Sequence, residues 1–352
     1  MTCRHGACVN DQPKGNEMTD RNDDATSVNV IGPVPPDPEQ LTDESRRLRV
    51  RREGAGEKRF PFPVPNGWFV VDESRGLAAG ELKSFYAFGK DLVLYRTESG
   101  EARLIDAYCP HLGAHIGTGG KVDGDGIRCP FHGWRFDGES GRCTDIPYAE
   151  KISPKASLRT YPIVERNHMI WAWHHLEGGE PFYDVPHFAE FDDPDWLPYE
   201  VLQFEIGTIA QEVQENEIDL QHLVYVHGLP PQIGTEVTLD GTYRRIWNGV
   251  FTVENYGLGC THISVRDAVR AATSLLPIDE ESVRMTWWFT APRSMGDDAA
   301  KMLGEGFTKG TTQDFAIWEN KRYRPKPLLT ANERVIREFR SWARQFYSGL
   351  DG

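Results

Sequence analysis

Two short phrases constrain this chain more than any other feature: Cys109-Pro110-His111 and Cys129-Pro130-Phe131-His132, with 17 residues between His111 and Cys129. Each supplies one thiol and one imidazole. Glycines follow both, in His111-Leu112-Gly113-Ala114-His115 and in His132-Gly133-Trp134. A glycine beside a ligand lets the backbone bend sharply and approach an inorganic group closely. The fold must therefore bring two separate loop tips to one point.

The donor set separates two metals. Zinc fingers usually run a closely spaced cysteine pair and then a histidine pair. Here each loop is mixed. Two cysteines on one iron and two histidines on the other is the ligation of a Rieske [2Fe–2S] cluster. Cys109, His111, Cys129 and His132 are thus the expected cluster ligands, and electron transfer is the expected role.

At 352 residues the chain is long enough for two domains with cores of their own. A formal net charge of −14 excludes nucleic acid as the general partner. The cysteines outside the two loops are Cys3, Cys8, Cys143 and Cys260, which form no disulfide framework and imply a reducing compartment. Met1 to Lys14 carries no apolar signal core, and no apolar run reaches bilayer length. The expectation is a cytoplasmic protein without a membrane anchor.

Three segments follow along the chain. Residues 1–57 read as a poorly ordered leader, with a stiff Val34-Pro35-Pro36-Asp37-Pro38 linker and a basic run from Arg46 to Arg52. Residues 58–188 read as short strands and turns. Asp91–Tyr95 and Ala102–Ala107 flank Glu98-Ser99-Gly100 as a hairpin, and His168–Trp173 reads as a closing strand. This is an all-β domain whose loops carry the cluster ligands.

Residues 189–352 change character to α+β. Strands are expected over Glu200–Ile209, Tyr243–Val253, His262–Val269 and Ser282–Thr290. Helices are expected over 211–226, 311–323 and 331–347, the last opened by a Thr330/Glu333 capping box.

The second domain offers its own metal ligands in Asn216-Glu217-Ile218-Asp219-Leu220-Gln221-His222-Leu223-Val224-Tyr225-Val226-His227. Residues five apart on a regular helix point about 140° away from each other. His222 and His227 can share a metal only if the helix ends or widens between them. Gly228, Pro230 and Pro231 favour an end, and a π-type turn is the other route. Two histidines and a carboxylate form the facial triad of non-haem Fe(II) oxygenases. Asp314 is the candidate carboxylate, because it shares a helix face with Trp318 and a buried acid needs a partner. Glu217 and Glu319 stand next in line. Asp219, three residues before His222, is expected to reach that histidine's second ring nitrogen.

From Phe60 to the C-terminal end the chain resembles a Rieske non-haem iron oxygenase α subunit. Asn216-x-x-Asp219-x-x-His222-x4-His227 matches the family's iron motif. Pro65-Asn66-Gly67-Trp68, Ile146-Pro147-Tyr148 and Trp318-Glu319-Asn320-Lys321 resemble the Neverland-type cholesterol 7-desaturases and the oxygenase component of bacterial 3-ketosteroid 9α-hydroxylases. The resemblance implies a helix-grip catalytic domain, a homotrimer without β subunits, and a separate ferredoxin-type or flavin reductase drawing on NAD(P)H. It implies a [2Fe–2S] cluster, a mononuclear Fe(II) held by His222, His227 and Asp314, and O2 as co-substrate. Asp219 would link a cluster histidine of a neighbouring subunit to His222. The implied reaction is hydroxylation or desaturation of a hydrophobic, steroid-like substrate; smaller aromatic or N-heterocyclic substrates stay open. Trp287-Trp288-Phe289 and Val224-Tyr225 are candidate pocket residues. A plain electron carrier would need only the first domain, and a binding protein with a decayed site would lack a ligand.

Overall fold

The computed structural model describes residues 58–231, 234–266 and 268–350, together with the two-residue strand Val30–Ile31. The Pro-rich linker, the Arg46–Arg52 run, Cys3 and Cys8 lie outside the described residues.

Three small antiparallel sheets build the first half. One is ordered Thr160–Tyr161, Ala102–Asp106, Lys90–Arg96, Leu82–Ala87; another Ile163–Arg166, Met169–His174, Gly67–Glu73; the third runs as a meander from Lys121–Asp123 to Cys143–Asp145. The expected hairpin is present, with Leu92 opposite Asp106 and Arg96 opposite Ala102. Alternation of buried Val93, Tyr95 and Ile105 against Leu92, Leu94 and Leu104 puts apolar side chains on both faces of this hairpin, so it is a core element on each side. The expected closing strand runs Met169–His174, fully buried.

The second half is an eight-stranded antiparallel sheet gripped by helices. Five strands form a meander, Glu236–Asp240, Tyr243–Trp247, Phe251–Tyr256, Cys260–Val265 and Val269–Pro277; Val283–Thr290 extends it, and Glu200–Ile206 returns beside that strand. Val30–Ile31 pairs with Phe204 and Gln203 at the sheet's edge.

Two expected strands are each a hairpin. Between Trp247 and Phe251 the Asn248 Oδ1 accepts the Val250 and Phe251 N–H groups at 3.0 Å, turning the chain. Between Val265 and Val269 the turn passes through Arg266 at φ +48°. The two halves share a seam, where Trp171 meets Trp288 edge to face at 5.8 Å and Val70 N–H donates to Ser274 Oγ at 2.9 Å.

Four α-helices matter for the site: α1 Ala210–Asn216, α2 Leu220–Tyr225, α3 Ala299–Asn320 and α4 Arg334–Ala343. The expected single helix over 211–226 is thus two. The expected helix over 311–323 starts 12 residues earlier, at Ala299. Gly304, Gly306 and Gly310 lower intrinsic helicity there. Packing overrides this: Gly304 lies against the sheet, where a Cβ would make ordinary contacts 3.4 Å from Leu202 and 3.6 Å from Phe289. The capping box at Thr330 and Glu333 is present, and α4 buries Ile336, Phe339 and Trp342 at helical spacing. Among the described residues no helix is long and apolar enough to cross a membrane.

Candidate metal centres

The two Cys-His loops repeat one backbone scheme. Cys109 N–H donates to Ala114 O and Gly113 N–H to Cys109 O, each at 2.9 Å. Cys129 N–H donates to Trp134 O at 2.8 Å and Gly133 N–H to Cys129 O at 3.2 Å. Gly113 at φ +73° and Gly133 at φ +72° make both turns possible, since only glycine takes this region without strain.

The loops meet. The His111 and His132 rings lie 4.7 Å apart, and His111 stacks on Trp134 at 4.6 Å. Cys109 and Cys129 are buried behind the half-exposed imidazoles. Burial pushes the Cys109 thiol up to about 11; the His111 N–H opposes this and the adjacent Cys129 adds to it. A thiolate there needs a cation. His132 Nδ1 is buried with no hydrogen-bond partner among the described residues, a vacancy in the polar accounting that a metal would fill. The donor set fits a [2Fe–2S] group with mixed ligation. Around it Leu112, Phe131 and Tyr148 stand 66%, 60% and 62% exposed, an apolar rim at the loop tips.

His222 on α2, His227 just past its end and Asp314 on α3 come together, with one ligand atom of each lying within 4.8 Å of the others. α2 stops at Tyr225, between the histidines. Leu229 N–H then reaches back six residues to Leu223 O, wider than a helical turn, and Gly228 takes φ +64°. The helix end thus falls between the histidines, and the His222 and His227 rings face each other with centroids 5.1 Å apart. Asp314 enters from α3, with its Oδ2 3.3 Å from His227 Nε2. Burial raises its carboxyl pKa, and His227 and His222 pull it back down. Its Oδ1 is buried without a partner among the described residues. A buried, half-satisfied carboxylate facing two imidazoles fits a divalent cation with an open side.

Asp219 does something other than the spacing suggests. It is the N-cap of α2, its Oδ1 accepting the Gln221 and His222 N–H groups at 3.2 and 3.3 Å. The His222 ring is held by the Asp219 main-chain carbonyl, which accepts from Nδ1, and not by the Asp219 carboxylate. This leaves the lone pair on Nε2. Glu217 and Glu319 are drawn elsewhere: Glu217 pairs with Arg244, Asn255 and Thr261, and Glu319 faces the Gly207 N–H.

The Rieske [2Fe-2S] domain model matches residues 67–162, and the 3-ketosteroid 9alpha-hydroxylase C-terminal domain model matches 172–254 and 262–347. Cholesterol 7-desaturase nvd of Bombyx mori is 32% identical over 350 residues, covering 90% of this chain and 76% of that protein. The chain belongs to the Rieske non-haem iron oxygenases. The oxygenase component of 3-ketosteroid-9-alpha-monooxygenase from Rhodococcus rhodochrous is 29% identical over 340 residues, covering 85% of this chain and 86% of that one. Among solved structures, dicamba monooxygenase bound to dicamba superposes with a TM-score of 0.65 at 18% identity, over 81% of this chain and 98% of that one. NdmA of Pseudomonas putida CBB5 superposes at 0.66 and 18% identity, over 79% and 88%. These two share the fold.

Within this oxygenase the sequence reading missed Gln313, whose Oε1 accepts from His227 Nδ1 at 2.8 Å. Gln313 orients His227 as the Asp219 carbonyl orients His222. Its adjacency to Asp314 was the available signal, because one turn of helix then supplies both a carboxylate and an acceptor. Gln313→Leu is expected to weaken binding of a divalent metal at this triad about 10-fold, the lower end for losing a partner of a metal-binding histidine. Competition with a ferrous chelator measures it, with cluster absorbance unchanged.

The pocket candidates divide. Trp287 and Phe289 stack at 5.5 Å and face α3, where Phe307 meets them at 5.5 and 5.3 Å. Trp288 points to the opposite face, into the seam with Trp171, as strand alternation requires. Tyr225 is 85% exposed and lines no interior pocket.

Proposed function

We propose that this oxygenase is the terminal component of a multi-component system that hydroxylates or desaturates a steroid-like ring substrate. The observation that supports it most is the His222, His227, Asp314 triad in a chain whose relatives, matched over 85% to 90% of it, are named as cholesterol 7-desaturases and a 3-ketosteroid-9-alpha-monooxygenase oxygenase component.

In this reading Cys109, His111, Cys129 and His132 hold the [2Fe–2S] cluster, and His222, His227 and Asp314 hold a mononuclear Fe(II). Iron bound there would supply the activation of O2, and the cluster would supply single electrons originating from an NAD(P)H-dependent ferredoxin-type or flavin reductase. The protein's own residues do the rest. The Asp219 carbonyl and Gln313 keep both Nδ1 atoms protonated, so each Nε2 is presented to the metal. Trp287, Phe289 and Phe307 form an apolar wall. Phe307 lies two helical turns before Asp314 on the same face of α3, about 10 Å along the axis, comparable to the long dimension of a four-ring steroid nucleus. The wall binds and orients the ring system and keeps water off it.

The exposed rim of Leu112, Phe131 and Tyr148 is the surface assigned to the catalytic domain of a neighbouring subunit in a cytoplasmic homotrimer. Asp219 would bridge there from His222 to a cluster histidine, His111 or His132.

Oxygen uptake with a reductase, NADH and a panel of 3-ketosteroids, cholesterol and small aromatics tests this function. Steroid-dependent uptake matched by product is expected, the product gaining one oxygen or losing two hydrogens. Uptake coupled only to small aromatics would replace the steroid reading.

A further inference from the structure

We propose that the buried Glu217–Arg244 pair is a positioning device for the mononuclear metal site: it fixes the break between α1 and α2 and thereby aims the His222 imidazole. The inference rests on His222 being a ligand of that metal.

Only Glu217, Ile218 and Asp219 separate α1 from α2. The Glu217 side chain turns away from the triad and into the sheet. Its Oε2 accepts from the Arg244 guanidinium and from Asn255 Nδ2 at 2.7 Å, and its Oε1 accepts from Thr261 Oγ1 at 3.1 Å. Arg244 is wholly buried. Its Nη1 donates to Gln214 O in α1 at 3.0 Å and its Nε to Asn255 Oδ1 at 2.9 Å. The guanidinium carbon lies 4.7 Å from the Phe339 ring centre and 5.8 Å from that of Trp342, both on α4. One cation thus joins the end of α1, the three-residue break, two neighbouring strands and the C-terminal helix. Ile218, 1% exposed, is the apolar pin beside it.

Such a pair is a costly way to gain stability. Two charges taken from water recover little net energy, and apolar side chains of similar size often serve the fold as well. What apolar contacts lack is direction. The carboxylate of Glu217 accepts from three donors on three strands, so the turn that follows has one orientation. From that turn the Asp219 carbonyl accepts a hydrogen bond from His222 Nδ1–H and the Asp219 carboxylate caps α2. His227 and Asp314 are held separately, through Gln313 and α3. The pair therefore governs one ligand of three.

The test uses Glu217→Leu/Arg244→Met, which removes both charges, and Glu217→Gln, which keeps the shape. Three readouts apply to the cluster-loaded protein: the thermal midpoint, the rate of iron loss to a ferrous chelator, and the electron paramagnetic resonance signal of the nitric oxide adduct of the mononuclear iron. The double variant is expected to melt at or above the wild-type temperature, keep its cluster absorbance, lose mononuclear iron about 10-fold faster and give a broadened nitrosyl signal. Wild-type iron loss and signal in a folded double variant overturn the proposal. If the double variant does not fold, Glu217→Gln decides: faster iron loss supports it and wild-type loss overturns it. His222→Ala is the control. Wild-type iron retention in that variant would mean that the ligand assignment has failed, rather than the positioning role.

Discussion

Asp314→Ala is expected to remove mononuclear iron and reduce turnover about 1,000-fold or more, while leaving the brown [2Fe–2S] cluster in place. The argument is local. Asp314 Oδ2 faces His227 Nε2 at 3.3 Å; among the described residues Oδ1 has no partner, and Asp314 is the carboxylate grouped with the two histidines. Glu217 is engaged by Arg244, Asn255 and Thr261, and Glu319 lies against Gly207. Two neutral imidazoles without an anionic ligand hold Fe(II) weakly.

The same geometry predicts the stability of the variant. A buried carboxylate with an unsatisfied oxygen costs the apoprotein folding energy, and alanine relieves that cost. The metal-free variant should melt at or above the metal-free wild type. Iron and sulfide analysis, visible absorbance and calorimetry of the apo forms check the three parts. Full mononuclear iron in the variant would remove Asp314 from the site.

Why the proposed ligands were legible and their supports were not follows from what each depends on. Cys109, His111, Cys129 and His132 announce themselves by donor type and by flanking glycines, both of which are sequence properties. His222 and His227 do so by spacing and by the Gly228-Leu229-Pro230-Pro231 stop that follows. The break at Glu217–Asp219 was hidden because helix-compatible residues flank it, and only the capping role of Asp219 marks it. The acceptor for His222 Nδ1 is a main-chain carbonyl, and every residue has one, so no letter of the sequence could identify it. Strand Val269–Pro277 was largely missed because Ala271-Ala272-Thr273-Ser274 lacks the bulky alternation of a half-buried strand. It is buried on both faces, and small residues there let the two halves of the molecule approach.

Asp219→Asn is the other variant with a large expected effect, and the capping geometry makes it a clean one. Asparagine caps helices as well as aspartate does, so α2 and the carbonyl that holds His222 should both persist. Both metal sites should stay filled and substrate should still bind. What asparagine lacks is the negative charge that would accept a proton-bearing cluster histidine from the neighbouring subunit. Reoxidation of the reduced cluster in a single turnover should then slow about 100-fold, the upper end for losing a partner of a ligating histidine. Asp219→Ala is the contrast. It loses the cap as well, at about 1 kcal/mol of helix stability, and frees the first turn that carries His222. It should therefore lose iron where asparagine does not. Stopped-flow absorbance on fully loaded protein separates the two roles. If Asp219→Asn reoxidises its cluster at the wild-type rate while Asp219→Ala loses iron, Asp219 is a helix cap alone, and electrons reach the mononuclear site by another path.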